Sequence, residues 1–293
     1  MNMINTSLSI KPNFSRSAQR KLLKQFVFIF ILIVISLVFL VPLYWMVITA
    51  LKTPGDILRY PPSLWPNPVT FDNFPRAFDA LPFDRFYFNS FVIVIISTIG
   101  TVLSSSLIGY GFARYRVPGS NILFGVLLAT LALPDEIFTI PIFLLFKQLG
   151  WLNTILPLVV PAYFGNAFYI FLFRQYMRGI PRELTDAAVI DGANSLGVFW
   201  YVIVPLSLPV FATVTVFNVL AKWNDFFTPL IYLQKIDQMT VAVGLSYFKG
   251  QQMVTDWGAL MAASLVSLIP VLIIFVIAQR YLVEGIATTG LKG

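Results

Sequence analysis

Asp135 and Glu136 stand side by side within an apolar run from Ile122 to Phe146, directly after Pro134 and shortly before Pro141. A carboxylate at membrane depth costs on the order of 2.5–3.5 kcal/mol to insert, so this pair must face a cavity, water or a partner. The two prolines interrupt helical hydrogen bonding and leave backbone groups that also need satisfaction. Carboxylates beside a broken helix suit hydrogen bonding to the hydroxyls of a polar solute. A helix end that surfaces early, or a bond to a neighbouring span, is the structural alternative. A second constellation is Lys222-Trp223-Asn224-Asp225. Lys222 and Asp225 are three apart and can neutralise each other on one helix face. Trp223 offers an aromatic face on which a ligand ring could stack, or else an interface anchor.

A third stretch, Arg174 to Pro209, is the longest polar-interrupted segment between two strongly apolar ones and carries Arg174, Arg178, Arg182, Glu183, Asp186 and Asp191. Pro181 suits the first turn of a helix, where its missing N–H costs nothing. Glu183 and Asp186 follow in the early turns, where carboxylates suit the positive end of the helix dipole. Leu184, Ala187, Ala188 and Ile190 give that helix a low-relief apolar face. Asp191-Gly192 reads as a turn, with Gly192 free to take positive φ, and Ala193 follows it. A second amphipathic piece, Leu196 to Val204, leads through Pro205 back into apolar sequence. A short helix, a glycine turn and another short helix outside the bilayer are shaped to dock.

The chemistry that the chain excludes is equally informative. It has no His and no Cys, which removes imidazole and thiolate metal sites, cysteine nucleophiles and Ser-His-Asp triads. No Gly-x-x-x-x-Gly-Lys-Ser/Thr run occurs, so no phosphate-cradling loop of that type exists here. No catalytic residue is assigned. Of the residues, 58% are hydrophobic and only 11% charged, against about 25% charged in a typical soluble domain. That balance decides for an integral membrane protein and against a soluble enzyme.

The elements that must position these residues are apolar spans. A basic tail (1–25) precedes a first span at 26–50, too long and without the small-residue site of a cleaved leader, and so read as a retained anchor. A Pro-rich polar loop follows at 51–87. Further spans are expected at 88–112, 122–146, 154–173, 204–232 and 260–281, with the docking loop at 174–203, a second polar loop at 233–259 and a tail at 282–293. The expected fold is thus all-α, with six transmembrane helices. Lys and Arg number twelve on the side of both termini and the docking loop and seven on the other, which places that first side in the cytoplasm. Topology therefore accounts for the formal charge of +7, and a nucleic-acid partner is not expected. The tail faces the anionic leaflet, so membrane lipid is a partner.

Asp186-Ala187-Ala188, then Gly192, then Val202-Ile203-Val204-Pro205, resembles the Glu-Ala-Ala loop of binding-protein-dependent ABC importer permeases. Asp186 replaces Glu, while Val202 and Val204 replace Ile and Leu; the Ala pair, the Gly and the Pro stay in register. The fuller form, Pro181-Arg182-Glu183-Leu184 through Ile190-Asp191-Gly192-Ala193, is similar to the carbohydrate branch, the relatives of the inner-membrane maltose permease. The Trp223-Asn224-Asp225 run before Pro229-Leu230 also recurs there in similar form.

The resemblance implies a type I core made of the last five helices, with the first span added to it. It also implies a second homologous permease, an ABC ATPase dimer, an extracytoplasmic solute-binding protein and a carbohydrate substrate. The loop, with Glu183, Asp186, Ala187, Ala188, Asp191, Gly192 and Ala193, would sit in a cleft of the ATPase. ATP and Mg would be bound by that partner, and no cofactor by this chain. The solute path would include Asp135, Glu136, Trp223, Asn224 and Asp225, and the tail from Thr288 to Gly293, unstructured by default, would reach between the ATPase subunits. Two rival readings are open on the residues alone: an ion-coupled transporter using Asp135, Glu136 and Asp225, and a membrane scaffold. Within the ABC class, a permease for a non-sugar solute is the nearer alternative.

Overall fold

The structure, a computed structural model, describes residues 16–115, 117–248 and 256–290, with side chains at all of these except 16–20, 22, 135 and 280–290. Most of the basic tail, Lys249, Arg116, the Asp135 side chain and the last three residues lie outside the described residues. Among the described residues every regular element is helical.

The helices are α1 (Arg16–Ala50), α2 (Pro54–Ile57), α3 (Asn73–Ala80), α4 (Phe83–Arg114), α5 (Ser120–Thr130), α6 (Thr139–Gln148), α7 (Leu156–Val159), α8 (Ala167–Arg178), α9 (Arg182–Ile190), α10 (Ser195–Val198), α11 (Val204–Leu206), α12 (Leu208–Trp223), α13 (Phe227–Tyr232), α14 (Val241–Tyr247) and α15 (Trp257–Gly290). Four stretches are long and apolar enough to cross a membrane: Leu23–Ala50, Phe83–Arg114, Leu156–Arg178 and Trp257–Gln279. A fifth is the bent pair Ser195–Leu206 and Leu208–Trp223, whose axes meet at 81°. The expected span at 122–146 is not one continuous helix. Leu131–Pro134 leave the helix, Asp135–Phe138 form a 3-10 turn, and α6 resumes at Thr139.

Helix α4 is the axle. It packs against α8, α12 and the 3-10 turn Val160–Phe164, while α15 packs against α12, α3 and α1. Small residues let the backbones approach, as membrane helix pairs require. A Cβ on Gly109 would lie 2.6 Å from Phe173 Cβ and 3.2 Å from the Arg174 backbone nitrogen. Polar groups stitch the same faces: buried Asn218 donates to Thr98 Oγ1 at 2.9 Å, and half-buried Ser104 to the Ala162 carbonyl at 3.1 Å. Asn166 caps α8, its Oδ1 accepting from the Phe168 and Tyr169 N–H groups.

Two apolar cores lie at the two ends of α4. One gathers Phe83, Phe86, Met239, Val241 and Ala263; the other gathers Tyr110, Phe173, Met177, Phe199, Ile203 and Val214. Phe83 and Tyr110 are about 40 Å apart at the helical rise, enough to reach across a bilayer. The apolar side chains of α1 from Phe26 to Val41 are exposed, which suits a helix bathed in lipid. At its far end Lys52 is buried, lies over the Trp45 ring at 5.0 Å and donates to the Ser63 carbonyl. Asn73 adds donations to the Ala50 and Lys52 carbonyls at 2.7 and 2.8 Å, so the 51–87 loop is tied down rather than loose. The backbone of α15 stays helical to Gly290, so the expectation of an unstructured tail from Thr288 does not hold over 288–290.

Candidate functional site

The segment after α8 forms a lever with an exposed tip and a buried root. Helix α8 runs on to Arg178, so the segment leaves the bundle at Gly179 rather than at Arg174. Pro181 is the N-cap of α9 and Glu183 lies in its first turn. Helix α9 has no buried residue: Glu183, Leu184, Asp186, Ala187, Val189 and Ile190 are exposed, Ile190 to 86%, as are Asp191 and Gly192 in the turn that follows. Ala188 and Ala193 are half-buried and pack against the core at this end.

The way α9 ends explains the spacing of these residues. The Ala193 N–H donates to the Ala188 carbonyl at 2.9 Å, and the Gly192 N–H donates to the Val189 carbonyl at 3.0 Å. This is the Schellman arrangement, in which a left-handed residue closes the helix and an apolar contact joins the residues around it. Gly192 has φ +88°, a value that L side chains resist. Asn194 then caps the next helix, accepting from the Gly197 N–H at 2.8 Å.

The root is α10 with the turn that follows it. Val198, Phe199 and Ile203 are buried, Phe199 to 0% exposure, whereas Trp200 and Tyr201 are exposed, Tyr201 to 84%. Phe199–Ile203 adopt a π-helical turn, with the Val204 N–H donating to the Phe199 carbonyl. Such turns accommodate a break in the ordinary ladder, here before Pro205. Pro209 cannot donate to the ladder of α12 and its ring crowds the preceding turn, which gives the 81° bend at the buried Ser207.

Two side chains one turn apart on α4 hold the lever. Arg114 donates to the Ile180 carbonyl at 3.0 Å, just before α9, and the Tyr110 hydroxyl donates to the Ser195 carbonyl at 3.2 Å, just after it. Asp186 lies close enough to attract the Arg114 guanidinium, and Arg182 close enough to repel it. Sequence reasoning missed this clamp. Its only trace there is the i, i+4 spacing of two long hydrogen-bonding side chains at the end of a span.

The residues proposed for a solute path are distributed differently. Glu136 is exposed on the 3-10 turn between α5 and α6; its backbone carbonyl accepts from the Thr139 N–H, and its carboxylate has no hydrogen-bond or ion-pair partner among the described residues. The Asp135 side chain lies outside them. Trp223 is 6% exposed, with its ring 5.0 Å from Phe91 and 6.4 Å from Tyr87 and its indole N–H donating to the Ser267 carbonyl at 3.2 Å. It is a core residue, so its face is not open for stacking. The expected Lys222–Asp225 ion pair does not form. Helix α12 ends at Trp223, which takes Asp225 off that face, and Asp225 Oδ1 instead accepts from the Thr228 N–H at 3.1 Å at the start of α13. Asn224 is exposed, donating to the Leu220 carbonyl at 2.8 Å. No group of three or more His, Cys, Asp or Glu suited to a metal occurs among the described residues.

Residues 105–288, which include the lever and its clamp, match the model of the family described as the binding-protein-dependent transport system inner membrane component. The arabinooligosaccharides transport system permease protein AraQ of Bacillus subtilis is 32% identical, over 88% of this chain and 92% of its own length. The lactose transport system permease protein LacG of Rhizobium radiobacter is 33% identical, over 83% of this chain and 88% of its own. The diacetylchitobiose uptake system permease protein NgcG of Streptomyces coelicolor is 30% identical, over 88% and 85%. Among solved structures, a chain of a bacterial ABC transporter involved in the import of the acidic polysaccharide alginate superposes with a TM-score of 0.80 at 23% identity, covering 92% of this chain and 99% of that one. At that identity the likeness speaks for the fold.

Proposed function

The chain belongs to the family of binding-protein-dependent transport system inner membrane components, and from that premise we propose that it forms half of the membrane pathway of a carbohydrate importer driven by ATP hydrolysis in another subunit. The observation that carries this reading is the lever: an exposed amphipathic helix, α9, closed by Gly192 and rooted in the core by Phe199 and Ile203. A rigid tip joined through a buried root to α12 is how closure of a partner can be passed to the spans. Leu184, Val189 and Ile190 on α9 are exposed among the described residues, and an ABC ATPase dimer that binds ATP and Mg is the partner proposed for them.

A sugar is favoured as the solute because the relatives named above are permeases for arabinooligosaccharides, lactose and diacetylchitobiose. A second homologous permease is favoured by the broken helix α5–α6. Its exposed Glu136, together with Asp135 and Asn224, would line the path where two such chains meet. Trp223 would support that wall from behind rather than touch the sugar. Asp225 is engaged as a helix cap, which speaks against its use as an ion-coupling carboxylate. The bias in Lys and Arg supports cytoplasmic placement of both termini and of α9, with a solute-binding protein on the opposite face.

The test is purification of the tagged chain in mild detergent with identification of what copurifies. Recovery of an ABC ATPase and a second permease, with hydrolysis stimulated by a sugar-loaded binding protein, is the expected outcome. A chain that purifies alone and transports with ATP depleted contradicts the proposal.

A further inference from the structure

Next to the lever, a cavity of about 590 Å³ opens between the α4–α5 turn and the end of α8. Arg174, Arg178 and Arg182 line it from one side, and Phe112, Ser120 and Asn121 from the other. The three arginines recur every fourth residue, and no Asp or Glu lines the cavity among the described residues. Arg174 and Arg178 are close enough to repel each other, and neither is within ion-pair distance of a described carboxylate. Arg174 is held in place by stacking, its guanidinium carbon 3.8 Å from the centre of the Phe124 ring. Its Nε is buried and has no hydrogen-bond partner among the described residues. Opposite lies the N-terminus of α5, where the Ser120 N–H is taken by the Val117 carbonyl at 3.0 Å and Gly119 has no side chain to cap the N–H groups that follow; the start of a helix favours an anion.

At the rim of the cavity Ile122 lines it, and Ile122, Leu123 and Val126 on α5 are exposed and apolar. An arginine-lined cavity that opens onto an apolar strip suits a phosphate with hydrocarbon attached. We propose that this cavity binds the headgroup phosphate of an anionic phospholipid, with its acyl chains along α5. Basic pockets between spans at the leaflet surface recognise headgroups in this way, and planar guanidinium forks suit phosphate oxygens. Because Arg182 opens α9, an occupied cavity would also neutralise charge at the base of the lever and bias its position.

The test is native mass spectrometry of the complex in mild detergent, titrated with phosphatidylglycerol or with phosphatidylcholine of the same acyl chains. Parallel samples receive inorganic phosphate or glycerol phosphate. Retention of phosphatidylglycerol about tenfold above phosphatidylcholine is expected, falling to parity in Arg174→Gln/Arg178→Gln. The exposed pair Arg178→Gln/Arg182→Gln should lose most of the preference without a folding risk, and Arg59→Gln, in the loop at the other end, should keep it. An unchanged preference in both double variants overturns the site. Displacement of the lipid by equimolar glycerol phosphate overturns the lipid assignment in favour of a free phosphate ester. Absence of the ATPase from the purified material would instead count against the importer reading, and the two failures are told apart in one spectrum.

Discussion

The Ala193 N–H reaches back to the Ala188 carbonyl at 2.9 Å across a left-handed Gly192. This bond fixes the angle at which α9 leaves and the chain returns to the core. A β-branched residue at Gly192 would be forced into a conformation costing roughly 1–2 kcal/mol. Nothing lies within 4 Å of a Cβ built there, so the penalty is conformational rather than steric. In the reconstituted complex, stimulated ATPase activity should fall in the order Gly, Asn, Ala, Val at position 192, with the chain still inserted. Equal activity for Gly192→Val would remove the turn from the account.

The clamp from α4 should matter in proportion to the charge on each donor. Arg114→Gln gives up a charged hydrogen bond to the Ile180 carbonyl, worth about 1.5–3 kcal/mol. Tyr110→Phe gives up a neutral one to the Ser195 carbonyl, worth about 1 kcal/mol. The expected signature is looser coupling, with more ATP hydrolysed per solute moved in proteoliposomes and a larger change for Arg114→Gln. Unchanged stoichiometry in both would place the clamp outside the coupling route.

Much of this was legible in the sequence, and the limits have physical causes. The Ala187-Ala188 to Gly192 spacing announced a helix closed by a glycine turn because the Schellman bonds are local. The break at Pro134 and the apolar spans were equally local signals. The Lys222–Asp225 pair was misjudged because i, i+3 reasoning assumes that the helix continues, and α12 stops at Trp223. The burial of Trp223 against Phe91 and Tyr87 and the reach of Arg114 to Ile180 are contacts across helices, which periodicity along one helix does not encode.

Trp223 separates a packing role from a solute-stacking one. Trp223→Phe keeps most of the apolar volume and loses the bond to the Ser267 carbonyl, at a cost of about 1 kcal/mol. A lower thermal midpoint with an unchanged KM for transport is expected. A raised KM at unchanged stability would return the ring to the solute path.

Gly109 tests the closeness of α4 and α8. A Cβ there would sit 2.6 Å from Phe173 Cβ, and overpacking of this kind costs typically 1–3 kcal/mol. Gly109→Val should lower the unfolding temperature of the purified chain and its amount in the membrane. Wild-type stability would mean that the two helices have room to part.

If α9 carries motion between an ATPase and the spans, its contacts must change with nucleotide, and the chain's lack of cysteine makes this directly measurable. Ala187→Cys puts a single thiol on the exposed face of α9, to be cross-linked in membranes and analysed for the attached protein. The account predicts a cross-link to the ABC ATPase whose yield changes with bound nucleotide. A thiol that cross-links to no ATPase in any nucleotide state, in a chain that still transports, would contradict it.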